Sequence, residues 1–383
     1  MKRIYLDHNG HAPTDPRVIR AVTEQMARYG NPSGIHERSR TSRAVLSRVR
    51  AKIATFLRVR PSEVLFTSGG TESMNLLIRG FCAKRPGRII TTDLEHPAIF
   101  ESVRELASQG RPVTFLSPGL RGAPTVTSVV RAIDTDTTGS GTALIVLSGV
   151  NSETGIKLPL APFADEARKR GIPLVIDGVA LLGKEHFTIP EGVSGIGFSG
   201  HKIHGPPGTG FIYLRGGSSP SPLFTGGPQE FGLRAGTENL PGIVGLGEAV
   251  SILDTEGELS ATRIRHLRSR FERLLKEAIP EAMINESDSP REVTRISNIS
   301  NISFPGIDGE SLAIQLDSEG VAVSQGSACA SGMREPSRVL LNMGFPRERV
   351  ARAVRFSFGR TNDEEETVRV VNILKRLCYL YST

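Results

Sequence analysis

Aromatic residues and cysteines are scarce in this chain, whose 383 residues include no tryptophan, five tyrosines and three cysteines. The cysteines, Cys82, Cys329 and Cys378, lie far apart and form no Cys-x-x-Cys pair, which argues against a disulfide framework and a structural zinc site. No run of about 18 apolar residues occurs, so we expect no membrane-spanning helix. The first residues become polar too early for a signal peptide, and a cytoplasmic location is the default expectation.

Acidic charge is also in deficit, with 47 lysines and arginines against 40 aspartates and glutamates and a net charge of +7. A nucleic-acid-binding surface would gather the basic residues into a patch with aromatic residues between them. Here they are spread along predicted surface helices such as residues 37–60. We therefore expect solvated helix faces and no direct contact with nucleic acid, while an acidic protein partner or an anionic cofactor stays compatible with the charge.

Short β-rich runs alternate with amphipathic helical segments through the first two thirds of the chain. The runs lie at residues 64–67, 88–91, 143–147, 173–177 and 194–198. Such alternation predicts βαβ units, and hence a largely parallel sheet with helices on both faces. In sheets of this kind, functional residues collect at the carboxyl ends of the strands.

The pattern changes near residues 256–277, where a long charged helix is predicted. Shorter strands follow at 301–304 and 321–324. A capping box at residues 361–364 predicts the start of a last helix. Because 383 residues exceed what one hydrophobic core usually supports, we expect two domains. We assign residues 14–257 to a large domain, and residues 1–13 and 258–383 to a small domain.

Two polar motifs at strand ends suggest that the protein holds a ligand with charged groups. Residues 67–75 read Thr-Ser-Gly-Gly-Thr-Glu-Ser-Met-Asn, so a strand ends in glycines and a helix begins near Thr71. Free amides at a helix N-terminus favour a phosphate, although ordinary capping explains this motif as well. Asp177 ends a buried strand, and a carboxylate there requires a cation or hydrogen-bond donors. The protonated ring nitrogen of pyridoxal phosphate is such a cation, and a cap or turn role is the alternative.

Lys202 and Cys329 stand in the two contexts best suited to covalent chemistry. Lys202 lies in a glycine-rich turn between two apolar runs, where an amine can form a Schiff base. Cys329 lies among the small residues of Ser-Gln-Gly-Ser-Ala-Cys-Ala-Ser-Gly, whereas the other two cysteines have apolar, helical surroundings. A thiol without bulky neighbours is free to react as a thiolate. Together the amine and the thiol indicate sulfur chemistry on an amino acid.

Motifs along nearly the whole chain resemble those of the cysteine desulfurases, fold-type I pyridoxal phosphate enzymes of the class V aminotransferase group. The matching segments are residues 5–7, 67–75, 95–96, 177, 199–202, 234–237, 326–329 and 355–360. The Gly-Ser-Ala-Cys context resembles the branch that serves nitrogenase and housekeeping iron–sulfur cluster assembly. The resemblance implies an α/β fold with a mostly parallel, seven-stranded type of sheet flanked by helices, plus a smaller α+β domain that carries the Cys329 loop.

The resemblance also implies roles around the cofactor, pyridoxal 5'-phosphate. Lys202 forms the Schiff base and moves protons, Asp177 pairs with the ring nitrogen, and His96 stacks on the ring and assists proton transfer. The phosphate is held by Gly70, Thr71, Ser199 and His201. Thr237 reaches the phosphate of a neighbouring subunit, so the active unit is expected to be a homodimer.

Further implied roles concern the substrate, L-cysteine. Arg355 binds its carboxylate, for which a planar bidentate donor is suited. Cys329 attacks the substrate sulfur, takes it as a persulfide and leaves alanine. Asn151 is expected at the substrate and Ser152 at the cofactor. The persulfide then passes to a sulfur-acceptor or scaffold protein.

Three departures from the family pattern fall on the substrate side of the cofactor. Ser152 replaces the second residue of the usual Asn-Asn-Glu, Ala180 replaces a common glutamine, and Asn-Gly-His-Ala at 9–12 replaces an Ala-Thr-Thr type of segment. Losing a neutral donor typically costs about 1 kcal/mol. We hypothesise that His11 supplies a missing donor and binds substrate, the alternative being a surface turn residue. His8 and His11 lack an evident third ligand, so no metal site is expected.

The sequence thus favours a cysteine desulfurase that converts L-cysteine to L-alanine, for iron–sulfur cluster assembly or thiolation. A related pyridoxal phosphate lyase or aminotransferase, acting on selenocysteine or another cysteine-derived substrate, is the first alternative. The second is a weakened, non-catalytic homologue that acts as a binding subunit, against which the complete set of reactive residues argues.

Overall fold

The structure, a computed structural model, describes residues 3–136, 139–288, 294–326 and 336–380. Its strands are β1 Ile4–Tyr5, β2 Val64–Thr67, β3 Arg88–Thr92, β4 Val113–Leu116, β5 Thr142–Ser148, β6 Leu174–Asp177, β7 Val193–Ser199, β8 Gly210–Leu214, β9 Met283–Ile284, β10 Ile299–Ser303, β11 Val321–Ala322 and β12 Ala353–Ser357. Its α-helices are α1 Pro16–Met26, α2 Glu37–Leu57, α3 Gly70–Lys84, α4 Pro97–Ser108, α5 Val126–Asp134, α6 Leu160–Lys169, α7 Leu240–Ala278, α8 Gly309–Ser318, α9 Arg338–Asn342, α10 Arg347–Ala351 and α11 Glu364–Leu380. None of these helices is long and apolar enough to cross a membrane.

A seven-stranded sheet in the order β2-β8-β7-β6-β5-β3-β4 forms the centre of the larger part of the chain. Every neighbouring pair is parallel except the two that involve β8. Its inner strands are buried along most of their length, as expected for a sheet covered by helices on both faces. The predicted βαβ alternation and the mostly parallel sheet are confirmed.

A second hydrophobic core surrounds a smaller sheet built from the later residues. This antiparallel sheet has the order β12-β10-β9, and α7, α8 and α11 contribute apolar side chains to its core. The N-terminal strand β1 pairs with β11 in parallel, so the first described residues lie against this later part of the chain. The exact domain boundaries stay a prediction.

Helix α7 begins well before the predicted residue 256. Asn239 caps it by accepting a hydrogen bond from the Gly242 amide, and the helix continues without interruption across residues 257 and 258. Its first half contributes Leu246 to the core beside the large sheet, and its second half contributes Phe271 to the smaller core. The apolar stripe near its start was hidden in the sequence by glycines, which are poor helix formers.

The predicted capping box at the last helix is wrong by two residues. Helix α11 begins at Glu364, and Asp363 caps it, because the Asp363 carboxylate accepts from the Glu366 amide at 2.8 Å. Thr361, the predicted cap, lies instead with its hydroxyl 3.5 Å from Nε2 of the buried His8. A tertiary contact therefore replaced the local one that the motif suggested.

Candidate active site

The carboxyl edge of the large sheet collects polar side chains from three adjacent strands. Ser148 ends β5, Asp177 ends β6 and Ser199 ends β7, and the strand register pairs Ser148 directly with Asp177. Strands that are apolar up to their last residue therefore present hydroxyl and carboxylate groups at one edge. This is where ligands bind in open α/β sheets.

A cavity of about 120 Å³ lies at this edge. It is lined by Asn9, Gly70, Thr71, His96, Ala98, Ser148, Val150, Ser152, Asp177, Val179, Ala180, Ser199, His201, Lys202 and Arg355. Nine of the predicted site residues are in this lining, and they come from six separate parts of the sequence. The three departures from the family pattern also meet here, since Asn9, Ser152 and Ala180 all face the same space.

Lys202 lies in the short turn that follows β7, a single turn of 3-10 helix from Gly200 to Lys202. Its Nζ donates hydrogen bonds to the carbonyl oxygens of Asn9 at 2.5 Å and Gly10 at 2.7 Å. Its own carbonyl oxygen accepts from Lys184 Nζ at 3.0 Å. Burial, together with the nearby charges of Lys202 and Arg360, lowers the pKa of Lys184 to about 8. The turn is thus held from both sides.

Asp177 and His96 both line the cavity, and burial shifts the pKa of each toward the neutral form of its side chain. Burial raises the pKa of Asp177, and one of its oxygens accepts from the Val179 amide at 2.9 Å. Burial also lowers the pKa of His96. His96 Nδ1 accepts from the Ala98 amide at the start of α4, so the proton of the neutral ring resides on Nε2.

A second buried carboxyl group, Glu95, lies behind this pair. It accepts hydrogen bonds from the hydroxyls of Thr92 at 2.7 Å and Ser148 at 2.5 Å. Burial, with a contribution from the Asp177 carboxylate, raises the pKa of Glu95 to about 7. Sequence reasoning gave no role to Glu95 or Ser148, although the position of the Glu-His pair after a buried strand was a usable signal.

The amino end of α3 provides a compact cradle for an anion. Gly70 begins the helix, and a Cβ on it would lie 2.5 Å from a methyl group of Val179, so only glycine fits. Ser199 Oγ lies 2.9 Å from His201 Nδ1 across the cavity floor. Burial lowers the pKa of His201 to about 4, and the charges of Lys202 and His11 act in the same direction. The ring is therefore neutral and can share one hydrogen bond with the hydroxyl.

Arg355 approaches the cavity from β12, in the smaller sheet. Its side chain is almost fully buried, with Nη1 donating to the Ser152 carbonyl oxygen at 3.0 Å and Nη2 to Asp7 at 2.9 Å. Asn9 Nδ2 donates to the same Ser152 carbonyl oxygen at 2.7 Å. A guanidinium held by a carboxylate and a shared carbonyl is suited to exchange these partners for an incoming carboxylate.

Three predicted site residues are not part of the cavity lining. Asn151 uses its amide within its own turn, where Oδ1 accepts from the amides of Glu153 and Thr154, and Nδ2 donates to Leu94. His11 is exposed and stacks on His201, with ring centroids 5.4 Å apart. Thr237 is exposed. Cys329 lies outside the described residues.

These elements, a mostly parallel seven-stranded sheet with a lysine and an aspartate at its carboxyl edge and a smaller sheet beside it, make up the fold-type I architecture. The family model for aminotransferase class-V matches residues 4–370. The chain therefore belongs to the class-V aminotransferases, as the sequence resemblance predicted.

Comparison with individual proteins makes the similarity more specific. The chain is 36% identical to the cysteine desulfurase of Trichormus azollae, over 98% of this chain and 93% of the relative. A solved NifS-like protein has a TM-score of 0.89 at 31% identity, covering 99% of this chain and 100% of that one. A structure described as SspA in complex with cysteine has a TM-score of 0.81 at 30% identity, covering 94% and 100%.

Proposed function

We propose that this protein is a pyridoxal phosphate-dependent cysteine desulfurase, which converts L-cysteine to L-alanine and takes the sulfur onto Cys329. The observation that carries the proposal is the convergence of Lys202, Asp177 and Arg355 on one cavity. These groups provide an amine, a buried carboxylate and a guanidinium, which a pyridoxal phosphate enzyme acting on an amino acid requires. Relatives named cysteine desulfurase, and the SspA structure described with cysteine, support the substrate.

The residues of the cavity fit pyridoxal phosphate on two counts. The Gly70 cradle at the start of α3, with Thr71, Ser199 and His201 around it, suits a phosphate. Asp177 is buried with a raised pKa, and a protonated ring nitrogen beside it would favour its ionised form. When bound, the cofactor supplies an electron sink for the substrate carbon.

The chain's own residues then perform distinct tasks. Arg355 binds the substrate carboxylate after releasing Asp7. Lys202 takes up the proton of the substrate α-carbon and returns it. His96, neutral because burial lowers its pKa, lines the cavity, where it would stack on the cofactor ring, and it can hold a proton at Nε2. Ser152 and Ala180 border the substrate side of the cavity. Asp177, Glu95 and Arg355 are themselves buried, which strengthens the electrostatic interactions they make.

The transfer of the substrate sulfur to Cys329 needs no further reactant. The Cys329 thiolate forms a bond to the substrate sulfur, and the bond between that sulfur and the substrate β-carbon breaks. The β-carbon takes that electron pair and a proton. The products are L-alanine and a persulfide on Cys329. Residues on both sides of segment 327–335 lie near Glu153, the chain neighbour of the cavity residue Ser152, since Ser337 Oγ donates to Glu153 at 2.5 Å and a Cβ on Gly326 would lie 3.7 Å from the same oxygen.

We also propose that the active unit is a homodimer that passes its persulfide to an acceptor or scaffold protein. Phe224 and Phe231 are about half exposed, at 48% and 58%, and both lie in the segment just before the exposed Thr237. Exposed aromatic rings beside a predicted phosphate ligand are expected where a second subunit packs. The cytoplasmic location expected from the sequence stays a prediction.

A second candidate is desulfuration or deselenation of another cysteine-like amino acid. The observation that favours it is the replacement of two family amide side chains by Ser152 and Ala180, which both line the cavity. Shorter side chains leave more room on the substrate side and fewer donors. A selenocysteine lyase reaction would proceed without Cys329.

The test is the release of alanine and sulfide from L-cysteine by the purified holoprotein, with the visible spectrum recorded alongside. We expect equal amounts of the two products in the presence of a thiol reductant. The Cys329→Ser variant is expected to keep the cofactor spectrum and lose sulfide release, with Cys82→Ser as the matched control, since Cys82 is buried away from the cavity. Sulfide production by Cys329→Ser at the wild-type rate, or turnover of selenocysteine alone, would favour the second candidate.

A further inference from the structure

The turn formed by residues 7–11, of which Asn9 lines the cavity, carries three oxygen acceptors. Two are the carbonyl oxygens of Asn9 and Gly10, which receive Lys202 Nζ. The third is Asn9 Oδ1, which has no hydrogen-bond partner within the described ranges although Asn9 is only 3% exposed. The amide orientation is determined, because Nδ2 donates to the Ser152 carbonyl oxygen, which can only accept.

This turn is built as one piece with Arg355. The amides of Gly10 and His11 donate to the Asp7 carbonyl oxygen, and a Cβ on Gly10 would lie 2.2 Å from an Asp7 carboxylate oxygen. Only glycine therefore allows the turn to fold over this carboxylate. The same carboxylate binds Arg355 at 2.9 Å. The oxygen acceptors and the guanidinium are thus held in a fixed relation.

Acceptors beside a guanidinium are complementary to the two ends of an α-amino acid zwitterion. An ammonium group has three donors and no acceptor, and a carboxylate is matched by the guanidinium. In this structure the Lys202 ammonium satisfies two of the acceptors. With the Lys202 amine committed to the cofactor, these carbonyls and Asn9 Oδ1 need another donor, because buried acceptors left unpaired are costly.

We propose that Asn9 Oδ1 and the carbonyl oxygens of Asn9 and Gly10 form the binding site for the α-ammonium group of the incoming amino acid, whose carboxylate binds Arg355. This inference rests on the proposed function and deepens it. The Asn9 carboxamide lies beside Ser152 and donates to its backbone carbonyl oxygen. The Asn9 side-chain amide, from the N-terminal turn, thus binds the substrate in a cavity where the Ser152 side chain offers only a hydroxyl.

The test uses two variants of the holoprotein and two ligands, with affinities measured by titration calorimetry. L-alanine carries both charges, and propionate carries the carboxylate alone. Asn9→Leu removes the acceptor and the donor to Ser152, while Asn9→Asp removes only the donor. We expect Asn9→Leu to weaken L-alanine binding about tenfold and propionate binding less than twofold. We expect Asn9→Asp to bind L-alanine at least as tightly as the wild type.

If both variants lose the same affinity for L-alanine, Asn9 acts only by holding Ser152. If Asn9→Leu loses the same affinity for L-alanine and for propionate, no ammonium group is recognised. Either result overturns the inference. Its failure is distinguishable from failure of the proposed function. A protein that discriminates L-alanine from propionate through Asn9 but releases no sulfide keeps the ammonium site and loses the desulfurase. A protein that releases sulfide with Asn9→Leu unaffected loses only the ammonium site.

Discussion

Two buried carboxyl groups at the carboxyl edge of the sheet differ in what they contact. Asp177 lines the cavity, and its carboxylate accepts from only one backbone amide in the described part of the chain. Glu95 is surrounded by the hydroxyls of Thr92 and Ser148, which accommodate a protonated acid as well as a carboxylate. Asp177 therefore suits a cationic ligand, while Glu95 suits a neutral, structural role.

Glu95 provides a pH test of this distinction. Because its pKa is raised to about 7, the folded protein keeps a proton between about pH 4.5 and 7 that the unfolded chain has lost. Its contribution to stability is therefore full at low pH, falls as pH rises through this window, and amounts to at most about 3 kcal/mol. We expect Glu95→Gln to match the wild type near pH 5 and to unfold at higher temperature near pH 8.

The matched control for this prediction is Glu63, whose shift has the opposite sign. Burial acts to raise its pKa, but hydrogen bonds from Arg60 and Gly216 outweigh that and lower it to about 2. Its contribution is present above the unfolded pKa and is lost as pH falls. Glu63→Gln is therefore expected to lower the unfolding temperature at pH 8. A destabilised Glu95→Gln at pH 8 would show that the Glu95 carboxylate is needed in its charged form.

The sequence predicts the reactive residues better than it predicts their neighbours. Lys202, Asp177 and Ser199 each follow an apolar strand, so strand periodicity and sheet topology suffice to bring them to one edge. Asn9 meets Ser152 across 143 positions, a contact that no local pattern contains. His11 was assigned to the substrate from its chemistry alone, whereas the structure stacks it on His201. Which polar side chains face the cavity depends on turns that only tertiary packing determines.

At the scale of elements, helix α7 links the two hydrophobic cores. It packs against α1 and α2 in its first half and against α11 in its second. The amphipathic pattern identified the second half of this helix and missed its glycine-containing start. Helix propensity is a weak guide where tertiary contacts bury one face of the helix.

Gly257, near the middle of α7, tests this linkage. It is partly buried, and a Cβ there would meet nothing closer than Leu253 at 4.0 Å. We expect Gly257→Ala to raise the free energy of unfolding by about 0.5–1 kcal/mol. Gly257→Pro should lower it by about 3 kcal/mol, because proline removes a helical hydrogen bond and clashes with the preceding turn. Denaturant unfolding measures both, and a destabilising alanine would show that the helix is strained at this point.

If α7 couples the cores, the proline variant is also expected to split unfolding into two transitions. Near-ultraviolet circular dichroism reports the tyrosine and phenylalanine environments, and the visible band reports the cavity. Wild-type protein and the alanine variant should lose both signals together. A single coincident transition in the proline variant would place the coupling elsewhere, for example in the contacts of β1 with β11.

At the scale of the whole molecule, Phe231 is the most informative exposed residue. It is 58% exposed and holds a left-handed backbone conformation with φ 58°, which costs a non-glycine residue on the order of 1–3 kcal/mol. The preceding Glu230 is buried and paired with Arg50 at 2.6 Å, and the Arg50 guanidinium lies 5.1 Å from the Phe231 ring. A buried ion pair thus holds an aromatic ring outward, an arrangement that is useful when the ring packs on a second subunit.

The proposed homodimer gives this arrangement a measurable consequence. We expect the wild type to sediment as a dimer at micromolar concentration, and Phe231→Asp to raise the dimer dissociation constant at least about thirtyfold, because aromatic anchors dominate interfaces. Leu259→Asp is the matched control, since Leu259 is 79% exposed on α7 and is not predicted to lie in the interface. A monomeric wild type, or equal effects of the two substitutions, would refute the interface. With Thr237 as a phosphate ligand of the neighbouring subunit, the Phe231→Asp monomer should also lose cofactor on dilution, whereas Leu259→Asp retains it.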